Sequence, residues 1–226
     1  MTKARTPFLT GALRLLPALL LAFLALGAQA ADLGRPLLLV ASPDLKGPYT
    51  HTALIVVPAG DKHIGFIINR ATQTTMGKLF PDHGPSAKVV DPVFFGGPEA
   101  SDAVFAMVRR NPGPASLRLF NDLYVTANAQ NVDRIIETTP NDARYFVGFV
   151  GWQPGELAAE IEKGYWYVGS PDSSLIFQKD TGSMWEDLVR RMGHRATPLK
   201  RGEMETRFNP ERFPPALSRA TARRSI

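Results

Sequence analysis

Residues 51–70, HTALIVVPAGDKHIGFIINR, constrain the fold more than any other stretch of this chain. Two β-rich runs flank Pro58-Ala59-Gly60-Asp61-Lys62, and a turn of that composition between such runs makes an antiparallel hairpin. With Ala59 to Lys62 as the turn, Pro58 faces His63, and pairing carried back sets Thr52 opposite Asn69 and His51 opposite Arg70. Polar residues therefore gather at the open end of an apolar hairpin. A slip of one residue would turn every side chain to the other face.

Other short apolar runs repeat the strand signal. They are PLLLVA (36–41, closed by Ser42-Pro43), VVDPVFF (89–95), AVFAMV (103–108), RYFVGFVGW (144–152), YWYV (165–168) and SLIF (174–177). LRLFNDLYVTA (117–127) reads as one strand or as a hairpin bent at Asn121-Asp122, and TMGKLF (75–80) as at most two helical turns. Longer helices enter later. Val132, Ile135 and Ile136 make an apolar stripe within 128–138, and Leu157 and Ile161 another, with Pro154 in the first turn, Glu156 beside it and Gly164 at the close. Trp185, Leu188, Val189 and Met192 follow helical spacing behind a Ser183/Glu186 capping box, with Gly193 at the stop. Hairpins first and helices inserted without regular alternation predict an α+β domain with a mostly antiparallel sheet.

Three segments are expected. Lys3, Arg5 and Arg14 precede an apolar run from Leu15 to Ala28 that ends in Ala28-Gln29-Ala30, the pattern of a secretory signal peptide over 1–30. That run is shorter than the roughly 20 residues a membrane-spanning helix needs, so cleavage is favoured over a retained anchor. A globular domain follows over 31–195, and a basic tail over 196–226. Charge is divided accordingly. Residues 31–189 hold 13 basic and 18 acidic residues, net −5, whereas 190–226 hold ten basic and three acidic, net +7. The tail suits acidic surfaces by counterion release, and export would separate it from promoter DNA.

The chain has no cysteine, which excludes disulfides, thiolate metal sites and a cysteine nucleophile. His51, His63, His83 and His194 form no i, i+4 pair, so no helix carries a two-histidine metal site, and no cofactor is expected. Dinucleotide, phosphate-loop, zinc-protease and nucleophile-elbow signatures are missing. The polar hairpin base is then the candidate site for a protein partner or a small anionic ligand: Ser42, Thr50, His51, Asn69 and Arg70. A hydroxyl, an imidazole and an amide are the parts of nucleophilic catalysis, so a hydrolase using Ser42, His51, Asn69 and Arg70 is the alternative. Against it stands the ordinary use of Ser, Thr and Asn in capping turns and strand ends. In FFGGPE (94–99), Pro98 lacks an N–H and Glu99 and Asp102 add negative charge, so Gly96-Gly97 is expected to make a tight turn that lets two elements pack closely, and not to cradle a phosphate. Gly148 and Gly151 point to close backbone approach, and Trp152, Trp166 and Trp185 to core positions.

Taken in order, LLLVASPDLKGPYTHTALIVV, GFIINR, VFFGGPE, LYVTAN, YFVGFVGWQPGELAAEIEKGYWYV, SLIF and MWEDLVRRM resemble the YqgE/AlgH family of bacterial proteins over residues 36–193. The matching positions are Ser42, Pro43, Asn69, Arg70, Gly96, Gly97, Pro98, Gly151, Trp152, Gly155 and Trp166. The resemblance implies a twisted, largely antiparallel sheet flanked by helices, and no catalytic residue. The family is named for transcriptional regulation through a link to alginate production, yet has no recognised helix-turn-helix, and a cytoplasmic regulator is the reading that follows if the leader is unused. Departures lie at Gly47, at Val57-Pro58 in place of Glu-His, and at Glu156-Leu157-Ala158 in place of Gln-Leu-Glu. Typical members also start near the first strand.

Overall fold

A computed structural model describes residues 31–193, so the expected leader over 1–30 and the expected basic tail over 196–226 lie outside the described residues. The fold below is that of the unit that begins at Leu33. Its first strand, β1 (Leu37–Ala41), pairs antiparallel with β2 (Ala53–Ala59), which pairs with β3 (Lys62–Ile67). The hairpin register is the expected one, with Pro58 opposite His63 and Ala59 opposite Lys62 around a loop in which Gly60 takes φ +69°.

The later strands are β4 (Ala71–Thr75), β5 (Pro92–Phe95), β6 (Glu99–Val108), β7 (Ser116–Phe120), β8 (Leu123–Thr126), β9 (Ala143–Trp152) and β10 (Trp166–Gly169). They join one sheet in the order β10-β1-β2-β3-β9-β6-β8-β7, with β4 on β5 and β5 alongside β9. Every pairing among the described residues is antiparallel except β5 with β9. LRLFNDLYVTA is a hairpin, β7 to β8, bent at Asn121, whose φ is +46°. α1 (Met76–Leu79) is a single turn, and a 3₁₀ turn over Gly84–Lys88 follows it.

Both faces of β1 and β2 are buried, which is why those strands read as unbroken apolar runs. Leu38, Val40, Ile55 and Val57 face one cluster, which Met184 and Leu188 of α5 (Met184–Gly193) cover. Leu37, Leu39, Leu54 and Val56 face the other, which Leu157 of α3 (Glu156–Glu162) covers together with Trp152 and Trp166. A third cluster, between β6, β9 and α2 (Ala129–Thr138), takes Val132, Ile135 and Ile136, and Asn128 caps α2 by accepting from Asn131 N–H.

Five local expectations need correction, Gly151 being the last. SLIF is not a strand: Asp172 accepts from Ser174 N–H and starts the short helix α4 (Ser173–Ile176), a local carboxylate cap that outweighs apolar content. The Ser183 hydroxyl donates to Asp187 at 3.3 Å, and among the described residues no hydrogen bond joins Ser183 to Glu186 as a capping box would. Pro154 precedes α3, whose N-cap is Gly155 at φ +78°.

Gly96-Gly97 is the fourth, for the turn and not for the close packing, which the structure shows. β5 lies against one side of β9 at Phe95 and Val147, and β6 lies against the other at Glu99 and Phe149. Residues 96–98 therefore carry the chain across β9 instead of turning between paired strands. A Cβ on Gly96 would fall on the Gly148 carbonyl oxygen, one on Gly97 on the Phe149 backbone, and one on Gly148 on the Gly97 carbonyl oxygen. Two backbones pass with no room for a side chain on either. Gly151 is different: its nearest would-be neighbours are side-chain atoms at 3.7 and 3.8 Å, an ordinary contact.

Candidate functional site

Strand pairing stops before Asn69, so the backbone groups that follow need other partners. Asn69 supplies two: Oδ1 accepts from Ala53 N–H at 2.9 Å and Nδ2 donates to the His51 carbonyl at 2.9 Å. Arg70 Nη2 donates to the Thr50 carbonyl at 3.1 Å, and Thr50 Oγ1 donates to the Gly47 carbonyl at 2.9 Å. Ser42 is buried, and its Oγ accepts from Asp44 N–H at 3.2 Å. The loop between β1 and β2 is thus stitched down along its length by the side chains the sequence placed at the hairpin base. His51 is held at φ +57°, uncommon for a residue with a Cβ, and its exposed ring lies 4.1 Å from the Trp185 ring. Trp185 in turn donates Nε1–H to the Ala41 carbonyl at 2.8 Å.

Ser42, Thr50, His51, Asn69 and Arg70 therefore share one region but form no nucleophile–base pair. Among the described residues no hydroxyl hydrogen-bonds the His51 ring. The hydroxyl that does meet an imidazole is Ser86, whose Oγ lies 2.8 Å from His83 Nδ1 in the 3₁₀ turn. Ser86 is fully buried within that turn.

Beside the stitched loop lies a group that sequence reading did not single out. Glu160 of α3 accepts the indole N–H of both Trp152 and Trp166 on Oε2, each at 2.8 Å. Both rings are core, so each N–H needs an acceptor. That need was the available signal, since Glu160 stands one helical turn beyond Glu156 between the two tryptophans. Tyr49 packs 6.2 Å from Trp166. Burial, then Glu160 and Glu99, push its phenol up to about 12, Glu156 adds to this and Arg70 opposes it. Burial pulls the Arg70 guanidinium below its usual range, with Tyr49 acting the other way. Tyr49 had no sequence signal.

The charges around Tyr49 are three carboxylates to one guanidinium. A negatively charged ligand would meet net repulsion there. Elsewhere, no three of His, Asp and Glu among the described residues gather as metal ligands would. Gly96, Gly97, Pro98 and Gly155 serve the chain path, with Gly151 on the exposed side of β9 and Trp152 beneath Glu160.

Sheet order and helix placement define an α+β domain in which one mostly antiparallel sheet, with helices on both faces, carries a structured loop at its hairpin base. Similar folds are the crystal structure of protein DIP2367 from Corynebacterium diphtheriae (TM-score 0.59, 22% identity, 70% of this chain and 86% of that one) and the solution structure of AlgH from Pseudomonas aeruginosa (TM-score 0.59, 21% identity, 73% and 92%). At that identity they speak for the fold alone. The chain belongs to the AlgH-like family (DUF179), whose model matches residues 38–197. Among its relatives are UPF0301 proteins of Methylococcus capsulatus, 30% identical over 69% of this chain and 89% of the relative, and of Chlorobium luteolum, 29% identical over 69% and 84%. Their names state no activity.

Proposed function

We propose that this chain is a non-catalytic binding domain that recognises a protein partner through the hairpin base, and that it is exported to the periplasm with residues 1–30 as the leader. One observation carries the binding reading. Of the residues a hydrolase would use, Ser42, Asn69 and Arg70 have side-chain atoms bonded to backbone groups of the loop they stand in, and the His51 ring lies on Trp185 and not on a hydroxyl. Pre-organisation of this kind lowers the ordering cost of recognition and adds nothing to bond making. His51 on Trp185 offers an exposed ring on a fixed support, the type of feature that anchors interfaces. The acidic surroundings of Tyr49 favour a partner surface with basic groups over a small anion. For export, the support is the basic, apolar and small-residue pattern of residues 1–30.

Two experiments test this. A photo-reactive residue placed at His51 in living cells should yield one defined adduct that is lost on Arg70→Ala and is not formed from a control position at Arg118. No adduct from the loop, or the same adduct from Arg118, rejects the partner site. Residues 1–35 fused to a reporter active only outside the cytoplasm should give signal. A silent reporter ends the export reading and restores the cytoplasmic regulator.

A further inference from the structure

β10 is the last strand at one end of the sheet and pairs with β1 alone. Alternation along β1 fixes which backbone groups of β10 point outward. Ala41 N–H donates to the Thr52 carbonyl on the β2 side, and Ser42 N–H donates to the Tyr165 carbonyl on the β10 side. Ala41 stands opposite Trp166 and Val40 opposite Tyr167, so Tyr165, Tyr167 and Gly169 turn their backbone groups toward β1, and Trp166 and Val168 turn theirs away. Among the described residues no second strand pairs with them. A free edge of this kind invites another strand, and proteins guard it with charge, proline or a covering segment. From Tyr165 to Ser170 there is neither charge nor proline, whereas β7 at the other end of the sheet carries the exposed Arg118. Tyr167 and Val168, on opposite faces, are both half-buried, so each apolar layer is unfinished at this edge.

The chain itself leaves α5 beside that edge. Trp185, in the first turn of α5, reaches the Ala41 carbonyl level with Trp166, and the Met192 side chain near the other end packs against Gly169. α5 therefore runs in the direction of β10 and ends at its Gly169 end. Residues 194–226 follow, almost all of them beyond the family match, which stops at 197. Within them Glu203-Met204-Glu205-Thr206-Arg207-Phe208 alternates charged with apolar or β-branched side chains, between Gly202 and Asn209-Pro210. That is the pattern of a short strand with one covered face. The stretch from Gly193 to Glu203 can span about 35 Å, ample for the chain to turn back. We propose that residues 203–208 add an antiparallel strand to the free edge of β10, running from Gly169 back toward Trp166, with Met204, Thr206 and Phe208 extending one of the apolar layers that Tyr167 and Val168 leave open. The direction also suits the charge. It delivers Arg212 and the arginines behind it to the Trp166 end, where Glu160 holds the indole and further carboxylates surround Tyr49. A parallel strand would carry them the other way. This site is the edge of β10 and does not rest on a partner at the hairpin base.

Hydrogen exchange of the full chain tests this at single amides. In Thr206→Pro, which breaks the added strand without altering the domain, the Trp166 and Val168 amides should exchange at least about a hundredfold faster than in the parent, while that of Tyr167, turned toward β1, should exchange alike in both. The absence of native cysteine permits a second readout, of direction. Under mild oxidation Ser170→Cys with Gly202→Cys should cross-link within one chain, and Ser170→Cys with Asn209→Cys should not. Trp166 and Val168 amides indifferent to Thr206→Pro overturn the proposal, as does the reverse preference in cross-linking. Cross-links that join two chains, or protection that grows with protein concentration, give the edge to a second copy and overturn it equally.

Discussion

Asn69 closes the hairpin by itself, because one amide satisfies a buried N–H on Ala53 and a carbonyl on His51. Asn69→Ala leaves the Ala53 N–H unpaired in a strand with no exposure, so the expected loss is about 1–3 kcal/mol. Urea denaturation checks this through a lowered midpoint at unchanged slope. An unshifted midpoint would mean that water replaces the amide at no cost. Tyr49 gives a pH prediction. Its folded value, about 12, lies above the ordinary 10.0, so the contribution to stability is full below pH 10 and is lost as pH rises toward 12. Burial raises Tyr145 in the same direction. Tyr49→Phe should therefore flatten, without removing, the alkaline decline in stability, and an identical decline in the variant would show that Tyr49 is not protected.

At the scale of elements, β9 carries the sharpest contrast between residues of one type. Gly148 takes φ +69° under the crossing chain, and a methyl there would strike the Gly97 carbonyl oxygen. Gly151, three positions on, has ordinary room for a Cβ on an exposed face. Gly148→Ala should cost upward of about 3 kcal/mol or prevent folding, while Gly151→Ala should lie within about 1 kcal/mol of the parent. Melting temperatures of the two variants decide, and similar losses would mean that the crossing can widen. The strand signal of RYFVGFVGW was plain in its β-branched and aromatic residues, whereas what made its two glycines unequal was not. That difference depends on residues 96–99, about fifty positions earlier in the chain. SLIF failed for a related reason, since four apolar residues fit a strand or a helical turn equally and Asp172 outside the run decided between them.

For the whole molecule, β9 is the spine. It has β3 and β5 on one side and β6 on the other, whereas β7 ends the sheet beyond β8 and β4 pairs only with β5. Amides in the centre of β9 should open only with global unfolding, and those of β4 and β7 through local fraying, so hydrogen exchange should separate them by orders of magnitude. Equal protection across these strands would contradict a hierarchy set by the sheet edge. The hairpin register and the stripes of α2, α3 and α5 were all legible in the sequence. Each is a periodicity among neighbours in the chain, and backbone geometry converts that periodicity directly into structure. The family was legible too, because its turn residues recur in order. Tertiary structure alone decided the passage of 96–98 across β9 and the joining of two indoles on Glu160. In each of these, groups distant along the chain are forced together by the packing of the sheet, and no local pattern of residues encodes which of them will meet.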